Sequence, residues 1–386
     1  MSRKKKNRLR TATAVIAFIM LLPFMIAAVS VPSAEQTIFF AASTSAFLTA
    51  GDIFPDKPVT VEADDTASPE NIPEIAPLTF SVDDTEMLSY GVLLFPNSTD
   101  EERVVPDKSY DVGPEPYPES LENHDGKITS ITYGSFNGDN YIGLDIAGQV
   151  RNITSVSNET LLAESRMSPD FRVEKNGEPQ ILIMHTHTTE SYEPYERDFY
   201  DASFGSRTTD ESMNMVAVGD AIAEQLEAAG IGVIHDTTKH DYPSYNDSYD
   251  RSRVTVSDIL EEYPSIKIVL DIHRDAIERA DGERIAPVAM IDGRNAAQVM
   301  IICGCDDGTM DMPDYLKNFR FASLLQQQME DLFPGLTRPV LFDYRKYNQD
   351  LTTGSILIEV GGHANSIDQA VYSGELIGKA LAECFT

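Results

Sequence analysis

The chain has 386 residues, enough for one large domain with accessory segments, and 42% of them are hydrophobic, ample for a packed core. Its 30 basic and 62 acidic residues leave a formal net charge of −32, which argues against nucleic acid as a partner, because phosphate neutralisation needs a basic face. The three cysteines, Cys303, Cys305 and Cys384, form no CxxC pair and no regular spacing, so neither a disulfide framework nor a four-cysteine zinc site is expected. Cys303 and Cys305, two apart in an apolar run, read as small buried hydrophobes on one face of a strand.

Six cations (Arg3, Lys4, Lys5, Lys6, Arg8 and Arg10) sit in residues 1–11, a basic cytoplasmic tail. Residues 12–31 carry no charge and match the length of a membrane-crossing helix. With the cations before it and none just after, the run reads as a single-pass anchor in the cytoplasmic membrane, leaving the remainder outside. A cleaved signal peptide is the alternative, with Val31-Pro32-Ser33-Ala34 as the cut site; Pro32 and the length of the run favour the anchor. Residues 32–124 read as an acidic, proline-rich extracytoplasmic spacer: ten of the 21 prolines fall between residues 50 and 124, and the apolar surface is too small to offset the entropy of ordering.

Residues 125–175 read as a small β region. Residues 127–133 and 141–156 alternate in strand fashion around Asn137-Gly138-Asp139, which predicts a hairpin leading into the main domain. From residue 176 to 386 strand and helix signals alternate. Strands are expected at 181–184, 231–235, 266–272, 285–291, 298–303, 339–342 and 356–360. Helices are expected at 210–229, where Met215, Val218, Ile222, Leu226 and Ala229 repeat at helical spacing before Gly230, and at 254–263, 315–332 and 367–384. This pattern predicts an α/β domain built on a largely parallel open sheet with helices on both faces.

Six of the seven histidines lie between His185 and His363. His185, His187 and His273 stand where apolar strands run out, and in an open α/β sheet chemistry gathers at the carboxyl ends of strands. Glu190 follows His187 by three residues, and Glu359 ends another apolar strand. One histidine at a strand end is explained as a polar cap; three with two carboxylates at one edge are the ligand chemistry of a catalytic zinc ion with an open position for water. Such an ion lowers the pKa of water to about 7, and a second, unligated carboxylate then shuttles the proton. Glu359, remote in sequence from the other residues but on the same edge, fits that role. There is no GxSxG, and no cysteine sits in a catalytic context.

Five blocks together resemble the stage II sporulation protein P family: HTHTTESY (185–192), HDYPSYNDSYDRS (240–252), DIHRDAI (271–277), YNQDL (347–351) and LIEVGGHANS (357–366). The resemblance runs from about residue 149 to the C-terminus. It implies an N-acetylmuramoyl-L-alanine amidase, also with endopeptidase activity, acting on peptidoglycan during engulfment. It further implies two partners, the lytic transglycosylase stage II sporulation protein D and a membrane protein that localises both. A more distant likeness to zinc-dependent cell-wall amidases places His187 and His273 as ligands and Glu359 as the catalytic carboxylate. Thr188-Thr189 stands where those amidases have a glycine pair, which keeps His185 as the alternative to His187. Glu190 is the expected middle ligand, with Asp210 or Glu211 as alternatives. Arg274, Tyr245 and Tyr249 are expected to bind substrate, Arg274 by holding a carboxylate or else by orienting ligands, and the tyrosines through ring faces, with a plain structural loop over residues 240–252 as the alternative. A non-catalytic wall-binding scaffold and a zinc endopeptidase are the competing functions.

Overall fold

The structure, a computed structural model, describes residues 116–385. The basic tail, the apolar segment 12–31 and most of the spacer lie outside the described residues. Among the described residues no helix is long and apolar enough to cross a membrane.

In chain order the elements are β1 (Gly126–Ile131), β2 (Tyr141–Gly143), β3 (Gln149–Asn152), α1 (Asn158–Glu164), β4 (Pro179–Met184), β5 (Phe199–Tyr200) and α2 (Met215–Ala228). There follow β6 (Gly232–His235), α3 (Ser248–Glu262), β7 (Ile268–Asp275), β8 (Arg284–Ile291), β9 (Arg294–Ala297) and β10 (Val299–Gly304). The chain closes with α4 (Tyr315–Leu332), β11 (Val340–Asp343), β12 (Gly354–Gly362) and α5 (Ile367–Glu383).

Eight strands form the main sheet in the order β2-β3-β11-β10-β12-β7-β4-β6, and β5-β1-β8-β9 form a second sheet. The fold is mixed α/β, but the main sheet is two parallel blocks and not one. β12, β7, β4 and β6 run parallel, as do β10, β11 and β3, and the blocks meet antiparallel at β10–β12. The chain supplies the reason. After β7 it makes the β8–β9 hairpin in the second sheet and passes from β9 through one residue, Gln298, into β10, with no helical crossover, the usual device that sets successive strands parallel.

Strand parity divides the core. Ile181 and Ile183 of β4, Ile268, Leu270 and Ile272 of β7, and Ile356, Ile358 and Val360 of β12 pack in the cluster that includes residues of α2, α4 and α5. The intervening Leu182, Met184 and Val269 face α3 through Val256, and Met300, Ile302, Leu341 and Leu357 form a further patch with Tyr347. Helices therefore cover both faces, α1, α2, α4 and α5 on one and α3 on the other.

The expected hairpin of residues 127–133 with 141–156 does not form. β1 pairs in parallel with β8 and antiparallel with β5, and β2 pairs with β3 at the edge of the main sheet. Alternation identifies a half-buried strand but not its partner. The 125–175 region is consequently divided between the two sheets and is not a separate accessory unit. The end of the predicted spacer also docks: Leu121 is buried, and Tyr117 donates its hydroxyl hydrogen to Tyr192 O at 2.8 Å.

α5 meets α2 through Gly374 and Gly378. A Cβ on Gly378 would lie 2.7 Å from Gln225 Cβ and 2.8 Å from Ile222 O, both on the facing helix. Gly→Ala inside a helix normally gains about 1 kcal/mol, but overpacking against backbone costs about 1–3 kcal/mol. Gly378→Ala is expected to lower stability, by up to about 2 kcal/mol. A urea titration of parent and variant checks this, and a higher midpoint for the variant would show that the helices separate freely.

Candidate active site

Strand parity also separates the two histidines of HTH. His185 continues the phase of Ile181 and Ile183 toward α2. Its Nδ1 lies 3.0 Å from Ile272 O and its Nε2 2.9 Å from His235 Nε2, while His235 Nδ1 lies 2.9 Å from Asp220 Oδ1. A Cβ on Gly219 would sit 2.3 Å from His235 Nε2 and 2.9 Å from His185 Nε2, so the pair fills the space a side chain there would need. His187 lies past the strand end, in a turn where Glu190 N donates to His187 O (3.1 Å). That turn carries its ring to the α3 face, with Nδ1 3.4 Å from Ser248 Oγ.

On that face Asp271 and His273 of β7 follow Val269 at strand period, and His273 is in register with Glu359 of the adjacent β12. Thr186, at the exit of β4, donates its N–H and its hydroxyl to the Asp271 carboxylate at 2.8 and 2.7 Å. The same carboxylate lies 2.8 Å from His273 Nε2. Across the ring, His273 Nδ1 is 3.6 Å from Glu190 Oε2. Glu190 in turn accepts from Arg274 N (3.1 Å) and Arg207 Nη2 (3.3 Å).

Burial alone would depress the His273 pKa, but Asp271 and Glu190 overcome it and raise it well above the ordinary imidazole value. Burial likewise favours the neutral form of Glu190, yet Arg274, His273 and Arg207 together hold its pKa well below the carboxylate range. His187 is different: burial dominates and lowers it to about 3, so its ring is neutral. Glu359 is 1% exposed, and neither of its oxygens has a hydrogen-bond partner among the described residues. Burial, reinforced by Asp275, pushes its pKa up to about 8, against the pull of His273 and Arg338.

Three tyrosines wall this cluster. Tyr245, 38% exposed, stacks on His187 with centroids 4.4 Å apart. Tyr249 lies edge-on to His187 at 5.6 Å and parallel to His273 at 6.4 Å, and it stacks on Tyr347 at 5.2 Å. Arg207 sits 4.8 Å from the Tyr245 ring centroid and bonds the buried Asp241 at 2.6 Å.

The structure thus brings His187, Glu190, His273, Glu359, Tyr245 and Tyr249 together. It does not bring the alternatives. His185 faces α2, Asp210 accepts from Ser212, and Glu211 pairs with Lys239. Of the two roles expected of Arg274, its contacts match the orienting of ligands, since its N–H donates to Glu190. Its buried guanidinium donates to the backbone oxygens of Ser191, Ser206 and Asp275, fastening the loop behind Glu190. Asp271, Thr186, Arg207 and Asp241 carry weight that the sequence reading gave to none of them. Only Asp271 had a usable signal, two residues before His273 on one strand.

Among the described residues no group of three or more His, Cys, Asp or Glu side chains is already arranged to hold a metal ion. The donor set nevertheless fits zinc. Tetrahedral zinc with bonds near 2.0–2.1 Å sets ligand atoms about 3.3 Å apart, close to the 3.6 Å between His273 Nδ1 and Glu190 Oε2. Asp271 on Nε2 is the carboxylate backing that metal-binding histidines commonly have. The neutral His187 ring lies 5.2 Å from that of His273, centroid to centroid.

A family profile described as Stage II sporulation protein P matches residues 137–382, which span all five blocks quoted above. The chain belongs to the stage II sporulation protein P family. Stage II sporulation protein P of Bacillus subtilis (strain 168) is 30% identical over 218 residues, covering 53% of this chain and 51% of that protein, so the match spans about half of its relative's length. Among solved structures, the N-acetylmuramoyl-L-alanine amidase AmiC2 of Nostoc punctiforme overlaps 55% of this chain and 96% of its own at 13% identity, with a TM-score of 0.32. The CwlD amidase from Clostridioides difficile, solved in complex with the GerS lipoprotein, overlaps 53% of this chain and 98% of its own at 11% identity, also with a TM-score of 0.32. Overlaps this loose fix neither a shared fold nor a shared chemistry.

Glu359 makes a pH prediction. A carboxyl whose pKa is raised in the fold favours folding most below its unfolded value, and the benefit is lost as pH climbs through about 8. In chelator-treated protein, Glu359→Gln has no such proton to lose and is expected to gain stability relative to the parent between about pH 5 and 8.5. Thermal melts across that range check it, and parallel curves would show that Glu359 is not held protonated.

Proposed function

We propose that this chain is a zinc-dependent peptidoglycan hydrolase that cleaves the N-acetylmuramoyl-L-alanine amide during engulfment in sporulation. In this reading residues 12–31 anchor it in the cytoplasmic membrane, and the domain acts outside. Family membership supports the wall as substrate. The observation that carries the chemistry is Glu359, a buried carboxylate with no hydrogen-bond partner among the described residues, in register with His273 at the edge where the family's blocks converge.

His187, Glu190 and His273 would hold the metal; both nitrogens of His185 are engaged elsewhere, which favours His187. Zinc in such a site polarises an amide carbonyl and lowers the pKa of a water to about 7. The chain's own residues do the rest. Arg274 N and Arg207 orient the Glu190 carboxylate from two sides. Asp271, 2.8 Å from Nε2, holds the ring of His273 in place by its charge. Glu359, its pKa near the working pH, takes a proton from the attacking water and delivers it to the leaving amide nitrogen. Tyr245 and Tyr249 line the approach and exclude water. Stage II sporulation protein D and a localising membrane protein are the partners that this reading implies.

The test is zinc content beside hydrolysis of purified sacculi. Glu359→Gln is expected to lower turnover by about 10² to 10⁴-fold with zinc retained. His187→Ala and His273→Ala should lose zinc and activity together, and His185→Ala should keep its zinc. Mass spectrometry of the products should find glycan freed of intact stem peptides; split cross-links would redirect the reading to an endopeptidase. If Glu359→Gln loses its zinc, or cleaves at the parental rate, the role given to Glu359 is wrong.

A further inference from the structure

Arg274 is committed to backbone oxygens, but a second buried guanidinium, that of Arg338, reaches Asp275, two residues past His273. Arg338 leads into β11. Its N–H donates to Val299 O at 2.8 Å and its carbonyl accepts from Gln326 Nε2 at 3.1 Å, so its backbone is fixed. The residue is 4% exposed, and Nη1 donates to Asp275 Oδ2 at 2.9 Å. Nε and Nη2 meet no acceptor among the described residues.

Those two nitrogens form the edge through which a guanidinium grips a carboxylate with two parallel hydrogen bonds. The chain uses that edge elsewhere: Arg166 Nε and Nη2 hold the two oxygens of Asp145 at 2.7 and 2.9 Å. A purely structural Arg338 would leave two buried donors without acceptors, an arrangement that native folds largely avoid. The nearby carboxylate is Glu359, which precedes Val360, the register partner of the Val299 whose carbonyl accepts from Arg338 N. The two are not hydrogen bonded: both Glu359 oxygens and both of these Arg338 nitrogens are without partners. Donor edge and proton shuttle are each left for a third group.

We propose that Arg338 binds a free carboxylate of the substrate through its Nε–Nη2 edge, beside the amide to be cleaved. The proposal rests on the reading that the chain hydrolyses peptidoglycan, whose stem peptides carry free carboxylates. It gives the site a specificity. A stem whose carboxylates have been converted to amides keeps one acceptor oxygen, presents an N–H₂ to the other donor and loses its charge, so it binds poorly.

The full chain, Arg338→Lys and Arg338→Gln are compared on untreated sacculi and on sacculi amidated with carbodiimide and ammonia. Co-sedimentation on ice reads binding, and released product reads hydrolysis. Lysine keeps a charge opposite Asp275 but has no two-pronged edge, so it separates loss of grip from loss of fold. The parent is expected to bind and cleave amidated sacculi about ten- to a hundredfold less well, the worth of a charged hydrogen-bonded contact. Arg338→Lys should show that loss already on untreated sacculi and be indifferent to amidation. If the hydrolase reading itself fails, sacculi are bound but uncleaved, and the binding comparison alone decides the role of Arg338. A parent that ignores amidation, or variants that lose the same factor on both substrates, would overturn the proposal, and the second result would make Arg338 a partner of Glu359 instead.

Discussion

The buried carboxylate of Asp271 ties the site together. Burial would favour its protonation, but the His273 charge and the two donors of Thr186 outweigh that and keep it ionised. A buried charge must be paired and hydrogen bonded to be tolerated, so this contact fixes the exit of β4 against β7. Thr186 is the residue between the two histidines of HTH. Holding it on Asp271 leaves His185 on the α2 side of the sheet and turns His187 back to the α3 side, above His273. Two strands far apart in sequence are thus joined at the site by one carboxylate.

The remaining charges on that face are paired with the same economy, save one. Glu190 answers Arg274 and Arg207, Asp275 answers Arg338, and Asp241 answers Arg207. Breaking any of these pairs would leave an uncompensated buried ion, a change that typically costs about 3–5 kcal/mol. Glu359 has no such partner among the described residues, and the fold meets the cost by keeping its proton. An acid with a raised pKa beside a positively charged imidazole is the arrangement expected of a group that must both accept and release a proton near neutrality.

Much of this was legible in the chain. The apolar runs that end in His187, His273 and Glu359 placed three residues at one sheet edge, and most expected strands and helices lie within a few residues of those observed. What was illegible depended on partners and on side-chain direction. Residues 127–133 announced a strand, but nothing local showed that β8, more than a hundred residues on, would receive it. α3 begins at Ser248 and not at residue 254, because the polar segment SYDRS offers no apolar period to read. Arg274 was a reasonable carboxylate grip beside His273, yet in a strand adjacent residues point to opposite faces, and Arg274 is turned away from His273 toward the loop carbonyls. The same rule, applied to Asp271, would have found the partner of His273.

The antiparallel seam between β10 and β12, which the pattern of strands and helices did not predict, has a chemical consequence. Val299 at the start of β10 is in register with Val360 near the end of β12, and Thr337 bridges to Val299. The segment entering β11 therefore lies at the edge where β7 and β12 finish. In a sheet parallel throughout, a residue preceding β11 would sit at the opposite edge, five or six residues back along β12, and at about 3.3 Å per residue that is roughly 15–20 Å from Glu359. The reversal of one block brings Arg338 to Asp275 and into the electrostatic range of Glu359. A uniformly parallel sheet of the same strands would keep its histidines and its glutamate at the carboxyl edge and lose this guanidinium.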